Sequence, residues 1–93
     1  MQFEWDEAKA ESNIKKHGVS FAEAKSVWDD YFYIDLFDDE HSEAENRFLI
    51  IGESLGKRLL IVSYTEREVK VRIISARELT PQERRDYEHG NFE

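Results

Sequence analysis

Cysteine is absent from this 93-residue chain, so disulfide bonds and thiolate metal sites are excluded. No apolar run approaches the roughly 18 residues of a membrane-spanning helix, and the N-terminus lacks a signal-peptide profile. Glycine-rich phosphate loops, HExxH metal motifs and nucleophile elbows are also missing. These absences predict a cytoplasmic protein without membrane contact, whose chemistry does not depend on a familiar local motif.

The composition predicts one small folded domain over residues 1–93. An apolar fraction of 40%, with 13% aromatic residues, is enough for a single core at this length. The formal net charge of −8 argues against a general nucleic-acid binder, because such binding depends on neutralising phosphates. Yet residues 57–77 carry 6 basic and 2 acidic side chains, so the overall sign conceals a basic zone.

Local signals predict an α+β fold in the order β-α-α-β-β-β-β-α. Asp6 and Gly18 bracket a first helix as N-cap and C-terminal glycine, after a short opening strand. Ser20 and Glu23 form a capping box for a second helix to about residue 30. Apolar alternation predicts four strands, at residues 31–37, 47–53, 58–65 and 69–76, with an acidic loop at 38–45.

A short C-terminal helix is predicted from the segment Thr80–Glu83 to about Glu88. The segment combines an N-cap, a proline in the first turn and a capping-box glutamate. Short links between the last three strands favour antiparallel hairpins. We therefore expect an antiparallel sheet of about four strands with two N-terminal helices and this short helix.

Three arginines recur every five residues in the β-branched stretch from Tyr64 to Arg77, at Arg67, Arg72 and Arg77. Strand alternation sets two groups on opposite sides: Val71, Ile73 and Ser75 against Lys70, Arg72, Ile74 and Ala76. Since the helices need an apolar face, we expect Arg72 to project from the uncovered side. Guanidinium groups on rigid strands suit phosphate binding. The alternative is a solvated face whose arginines pair with the nearby Glu66, Glu68 and Glu78.

Metal-free RNA cleavage needs a base for the ribose 2′-OH, cationic donors for the phosphorane and an acid for the leaving oxygen. Tyr64, Glu78 and Arg58 flank the basic strands and can supply such groups. A second basic cluster at residues 84–89 is also typical of an ordinary helix terminus. His17, His41 and His89 are far apart in the sequence, so we do not expect a zinc site.

Several blocks of the sequence resemble the BrnT toxins of bacterial type II toxin–antitoxin modules. They are FEWDEAKAESNIKKHGVSFAEA at 3–24, ENRFLIIGES at 45–54, YTERE and VRIISAR within 64–77, and ERRDYE at 83–88. The resemblance implies a compact RelE-like domain and a ribonuclease that arrests translation without a metal cofactor. It further implies a BrnA-type ribbon-helix-helix antitoxin, a 2:2 heterotetramer, and DNA contact only through that antitoxin.

Together with the basic strands, the resemblance implies a set of site residues. The predicted catalytic residues are Arg67, Arg72, Arg77, Glu78 and Tyr64. The predicted RNA-binding residues are Arg58, Lys70, Arg84, Arg85 and Tyr87. Two other functions stay open: an inactive module that only binds its antitoxin, which the acidic charge favours, and a metal-dependent nuclease that uses the acidic loop at 38–40.

Overall fold

The computed structural model describes residues 1–92, which contain five strands, three α-helices and two short 3-10 turns. The strands are β1 (Gln2–Glu4), β2 (Ile34–Phe37), β3 (Arg47–Glu53), β4 (Leu59–Arg67) and β5 (Lys70–Glu78). The helices are α1 (Glu7–His17), α2 (Phe21–Lys25) and α3 (Pro81–Glu88), and the 3-10 turns are Ser26–Asp29 and Asp39–His41. This order confirms the predicted succession of strands and helices. No α-helix in the described residues is long and apolar enough to cross a membrane.

Local caps fix both ends of α1 as predicted. The Asp6 carboxylate accepts hydrogen bonds from the backbone N–H groups of Ala8 and Lys9, at 2.8 and 3.1 Å. Gly18 ends the helix with a φ of 68°, in the left-handed region that favours glycine. The end of α1 is therefore set by local sequence, and this places His17 at its last position.

The second helix is shorter than predicted. Ser20 accepts the N–H of Glu23 at 3.0 Å, but the Glu23 carboxylate leaves the helix and accepts hydrogen bonds from Arg58 and Ser54 instead. Only half of the predicted capping box is therefore formed. The α-helix ends at Lys25 and continues as a 3-10 turn.

The sheet order is β1-β5-β4-β3-β2. Strands β2 to β5 pair antiparallel, as predicted, whereas β1 pairs parallel with β5, with Phe3 opposite Val71. The α+β class is confirmed, but the sheet has five strands rather than four. A parallel partner so distant in sequence leaves no local signal, because parallel strands are joined by long connections rather than hairpins.

A β-bulge in β5 changes which side chains share a face. Ser63 pairs with Ser75 and Tyr64 with Ile73, so Ile74 is the extra residue. Beyond the bulge, Ala76 joins Ile73 in the core beneath the helices, and Ser75 lies on the other face. The predicted alternation was therefore wrong for Ser75 and Ala76, because a bulge reverses the side of every later residue.

Buried apolar residues lie on both faces of the sheet. The larger core, beneath α1 and α2, includes Phe21, Val27 and Ile50, each at most 1% exposed. A smaller cluster on the second face contains Ile51, Ile61 and Leu79, against which Tyr87 of α3 packs. The second face is therefore only partly covered, and it carries the candidate site.

Candidate active site

A groove of about 610 Å³ opens on the second face of the sheet. Its floor is formed by side chains of β2 to β5, and its walls by the end of α1, the acidic segment after β2, and α3. Its lining residues are His17, Leu36, Asp38, Glu40, His41, Leu49, Ile61, Ser63, Ser75, Ala76, Arg77, Glu83 and Phe92. An apolar floor with charged and imidazole groups at its walls is typical of a binding site.

Two histidines from distant parts of the sequence contribute to this groove. His17 is the last residue of α1, and His41 ends the 3-10 turn after β2. The His41 ring nitrogen Nδ1 lies 2.9 Å from the Asp38 carboxylate, which orients the ring. The separation of these histidines in the sequence predicted no shared site, whereas in the structure both line one groove. No local signal indicates that they meet, because a basic residue before a helix-ending glycine is ordinary at a helix terminus.

Arg77 contributes the guanidinium group of the groove. It donates to both carboxylate oxygens of Glu83, at 2.7 and 3.0 Å, and to the Glu78 carbonyl oxygen at 3.2 Å. The hydrogen bonds that Arg77 donates lower the pKa of Glu83 to about 2, and the same interaction raises the pKa of Arg77. Glu83 was predicted as a helix cap, a role that it also fills, but not as a partner of Arg77.

The other two arginines of the series do not line the groove. Arg72 donates to Glu4 of β1 at 3.2 Å, and Arg67 lies 3.6 Å from Glu45. Arg72 and Arg77 are five residues apart, roughly 16 Å along a strand. Arg72 pairs with Thr65 and Arg77 with Ile61, and this register places the two arginines on the same face of the sheet. They nevertheless lie too far apart to form one cluster.

Arg67 and Arg72 pair with carboxylates distant in sequence, and Arg77 pairs with Glu83 six positions later. None of them pairs with the carboxylates of the three glutamates that the alternative interpretation named. Lys70 likewise lies 3.9 Å from Glu4. The pairing carboxylates of Arg67 and Arg72 come from the acidic first half of the chain. The basic zone is therefore partly neutralised where it folds against that half.

Arg58 forms a structural link rather than a free surface charge. It donates to both oxygens of Glu23, to Glu78 at 3.2 Å and to the Gly18 carbonyl oxygen at 3.0 Å. The hydrogen bond from Arg58 lowers the pKa of Glu23. Arg58, directly before β4, thus connects the end of α1, helix α2 and the end of β5, and it lies outside the groove.

Tyr64 lies on the helix-covered face, away from the groove. Its side chain is 4% exposed and packs between Trp28 and Phe48. The hydroxyl donates to the Asp35 carboxylate, whose oxygens are 2.8 and 3.0 Å away. Burial, reinforced by Asp35, strongly raises the pKa of Tyr64. These surroundings suit a structural role for the Tyr64 hydroxyl, since a general acid or base needs a pKa nearer neutrality.

The three predicted residues of α3 lie in different surroundings. Arg84 and Arg85 are exposed, and Arg85 donates to Gln82 at 2.9 Å. Tyr87 packs on the smaller core with its hydroxyl 3.5 Å from the Phe32 carbonyl oxygen, and burial raises its pKa. No group of three acidic or histidine side chains in residues 1–92 is placed to hold a metal ion.

A sheet with α1 and α2 on one face, and on the other a groove that is flanked by α3 and lined by two imidazoles and a guanidinium group, defines a small α+β protein with a candidate anion-binding groove. The family model described as ribonuclease toxin, BrnT, of type II toxin–antitoxin systems matches residues 5–83. The chain belongs to this family, and the resemblance seen in the sequence is confirmed.

A solved structure supports the same relationship. The 1.1 Å crystal structure of the Brucella abortus ribonuclease toxin BrnT is 26% identical to this chain, with a TM-score of 0.64. The match covers 86% of this chain and 97% of that one. None of the curated proteins matches the chain. Family and fold are thus supported independently, by sequence and by structure.

Proposed function

We propose that this protein is an active toxin that cleaves RNA in the groove, without a metal cofactor, and thereby arrests translation in the cytoplasm. The observation that carries the proposal is the convergence of His17, His41 and Arg77 around one groove on the open face of the sheet. Family membership supplies the reaction class, and the groove supplies groups suited to it.

The imidazoles take the proton-transfer roles. One accepts the proton of a ribose 2′-OH as its oxygen attacks the adjacent phosphorus, and the other donates a proton to the departing 5′-oxygen. The products are a 2′,3′-cyclic phosphate and a free 5′-hydroxyl. Glu83 is a poor base for this step, because its pKa of about 2 leaves it little affinity for a proton at neutral pH.

Arg77 stabilises the charge on the phosphorane. Its guanidinium group already lines the groove, and an RNA phosphate can replace Glu83 as its partner in the same bidentate geometry. Arg67, Arg72 and Lys70 lie on the same face beyond the groove, where they extend the path of the RNA backbone, and Arg84 and Arg85 offer contacts from α3. The proposed site omits four predicted residues: Tyr64 is buried on the opposite face, Tyr87 packs on the smaller core, and Arg58 and Glu78 pair with each other outside the groove lining.

The test has two parts: expression of the protein in cells without the antitoxin, and an assay of RNA cleavage by the purified protein in the presence of EDTA. Growth and protein synthesis should stop, and RNA should be cut. His17→Ala and Arg77→Ala should each reduce the cleavage rate about 100-fold or more. Lys15→Ala, an exposed α1 residue outside the groove, is the matched control and should retain the wild-type rate. Intact RNA with the wild-type protein, or full activity in both groove variants, would refute the proposal.

A BrnA-type antitoxin with a ribbon-helix-helix part is the proposed partner. The type II family implies an antitoxin, and we propose two copies of each chain, with DNA contacted only through the antitoxin. Co-purification with the product of the adjacent gene and measurement of the complex mass by light scattering test this assembly. A 1:1 mass would contradict the stoichiometry and leave the ribonuclease proposal intact.

An inactive binding module is the second candidate, and the ion pairs favour it. Arg67, Arg72 and Arg77 each lie beside a carboxylate that an RNA phosphate must displace. This candidate predicts antitoxin binding together with no RNA turnover at any pH. If Glu83→Gln, which weakens the hold on Arg77, also produces no cleavage, the inactive module is the better description.

A further inference from the structure

Large aromatic side chains are exposed where the chain enters β2. Tyr31 and Phe32 are 91% and 75% exposed, and Phe37 at the end of β2 is 50% exposed. Isolated exposed apolar residues are ordinary, but exposed aromatic rings at both ends of one edge strand, with Tyr31 and Phe32 in mutual contact at one end and Phe37 at the other, indicate an interaction surface. We call Tyr31, Phe32 and Phe37, together with the outer edge of β2, the β2 surface.

The outer edge of β2 carries backbone groups that no other strand of the described residues pairs with. β2 is the last strand of the sheet, next to β3 alone. The Asp38 N–H donates to the Arg47 carbonyl oxygen at 2.8 Å, so this pair is hydrogen-bonded. Because such pairs alternate in antiparallel strands, the N–H and C=O groups of Asp35 and Phe37 point outward.

The segment that contains the β2 surface is acidic. Residues 29–45 contain eight aspartates and glutamates and no lysine or arginine. Edge carboxylates discourage pairing between like copies. They attract a cationic segment, so the surface combines aromatic contacts, free edge groups and negative charge.

The edge adjoins the candidate active site. Leu36 of β2 and Leu49 of β3 form part of the groove floor, on the face where Arg77 also lies. A strand added beside β2 would continue the sheet, and alternate side chains of that strand would project along the same face. An occupant of the edge is therefore placed to obstruct RNA in the groove.

We propose that the β2 surface binds an extended segment of the antitoxin in which basic and apolar side chains alternate. The segment pairs with the outward groups of Asp35 and Phe37, its apolar side chains contact the aromatic rings, and its basic side chains face the surrounding carboxylates. Neutralisation then follows from obstruction of the groove. This inference rests on the proposed function for the existence of the partner.

Amide hydrogen exchange on the free toxin and on its purified complex with the co-expressed antitoxin tests the backbone pairing. In the free protein, the amides of Asp35 and Phe37 should exchange quickly, while that of Leu36, which faces β3, is protected. In the complex, the first two should slow at least 10-fold. Unchanged exchange at both amides in a stable complex would overturn the proposal.

Side-chain variants provide a second readout that does not depend on catalysis. Phe32→Ser and Phe37→Ser should each weaken antitoxin binding at least 10-fold, since aromatic anchors dominate interfaces. Val69→Ser is the control, because Val69 is 82% exposed in the β4–β5 turn and lies outside the β2 surface. Equal affinity for all three variants would overturn the proposal.

Three outcomes separate this inference from the proposed ribonuclease. Weakened binding by the β2 variants supports the surface even if no RNA is cut. RNA cleavage together with antitoxin binding that is unaffected by the variants refutes the surface alone. Protection of Asp35 and Phe37 in a dimer of the toxin without antitoxin assigns the surface to a second copy and also refutes the proposed occupant.

Discussion

Arg77 on β5 and Glu83 on α3 form a bidentate ion pair, with nitrogen–oxygen distances of 2.7 and 3.0 Å. The same carboxylate accepts the Thr80 N–H at 2.9 Å, so one side chain both caps α3 and holds the arginine of the groove. The position of α3 and the position of the candidate catalytic group are therefore coupled. Loss of this ion pair should therefore change the free energy of unfolding as well as the rate of RNA cleavage.

Glu83→Gln should lower the free energy of unfolding by about 1 kcal/mol at pH 7, because the charge-assisted bonds are lost while the capping geometry can persist. The pKa of Glu83 lies at about 2 in the folded protein and at an ordinary value of 4.5 otherwise. The carboxylate thus stabilises the fold above its ordinary pKa, and this contribution is lost as the pH falls towards 2.

Urea denaturation of wild type and Glu83→Gln at several pH values measures this effect. The difference between them should narrow steadily below about pH 5. A difference that stays constant between pH 7 and pH 3 would mean that ionisation of Glu83 does not stabilise the fold.

Tyr64→Phe should affect stability rather than chemistry. It removes the hydroxyl that donates to Asp35 and should cost about 1 kcal/mol, with the ring contacts to Trp28 and Phe48 retained. RNA cleavage by the folded variant should remain within about threefold of wild type, since Tyr64 lies on the face opposite the groove. A loss comparable to that of Arg77→Ala would restore Tyr64 as a catalytic residue.

Arg58→Lys should destabilise the protein by about 1–2 kcal/mol, because an ammonium group cannot reproduce the planar set of bonds to Glu23, Glu78 and Gly18. Thermal unfolding provides the measurement, and Lys57→Ala in the adjacent turn is the control. An unchanged melting temperature together with weaker RNA binding would instead favour the predicted RNA-binding role of Arg58.

Asn13→Ala should cost about 3 kcal/mol, the largest effect among these variants. The buried Asn13 amide donates to the carbonyl oxygens of Val19 and Ala76, at 2.9 and 2.8 Å, and accepts the Ala76 N–H at 3.1 Å. It therefore holds α1 against β5 just beyond the bulge. Ser12→Ala on the exposed side of α1 should change stability little, and equal losses from both variants, measured by urea denaturation, would contradict this role.

Predictions that depended on neighbouring residues were largely accurate. The caps at Asp6, Gly18 and Thr80 are where the sequence indicated, and β3 has the predicted bounds. Caps and hairpins involve groups a few residues apart, so local sequence suffices. Strand β2 is shorter than predicted, because Tyr31 and Phe32 form a turn despite their strand-like pattern.

Predictions that depended on strand parity failed beyond Ile73. The bulge at Ile74 returned Ala76 to the core and moved Ser75 to the groove face. No glycine marks this bulge, and the buried Asn13 that bonds to the backbone beyond it comes from 63 positions earlier in the chain. Sequence alternation cannot indicate an irregularity that is stabilised by a distant helix.

The sequence by itself determined the α+β class, the three helix N-caps, the end of α1, the basic zone at 57–77 and membership of the BrnT family. These follow from short-range hydrogen bonding, apolar periodicity and blocks of residues in a fixed order. The tertiary structure alone decided that His17, His41 and Arg77 line one groove, that Glu83 holds Arg77, and that β2 is an edge. Those relationships join residues from different elements, and only packing of the chain brings them together.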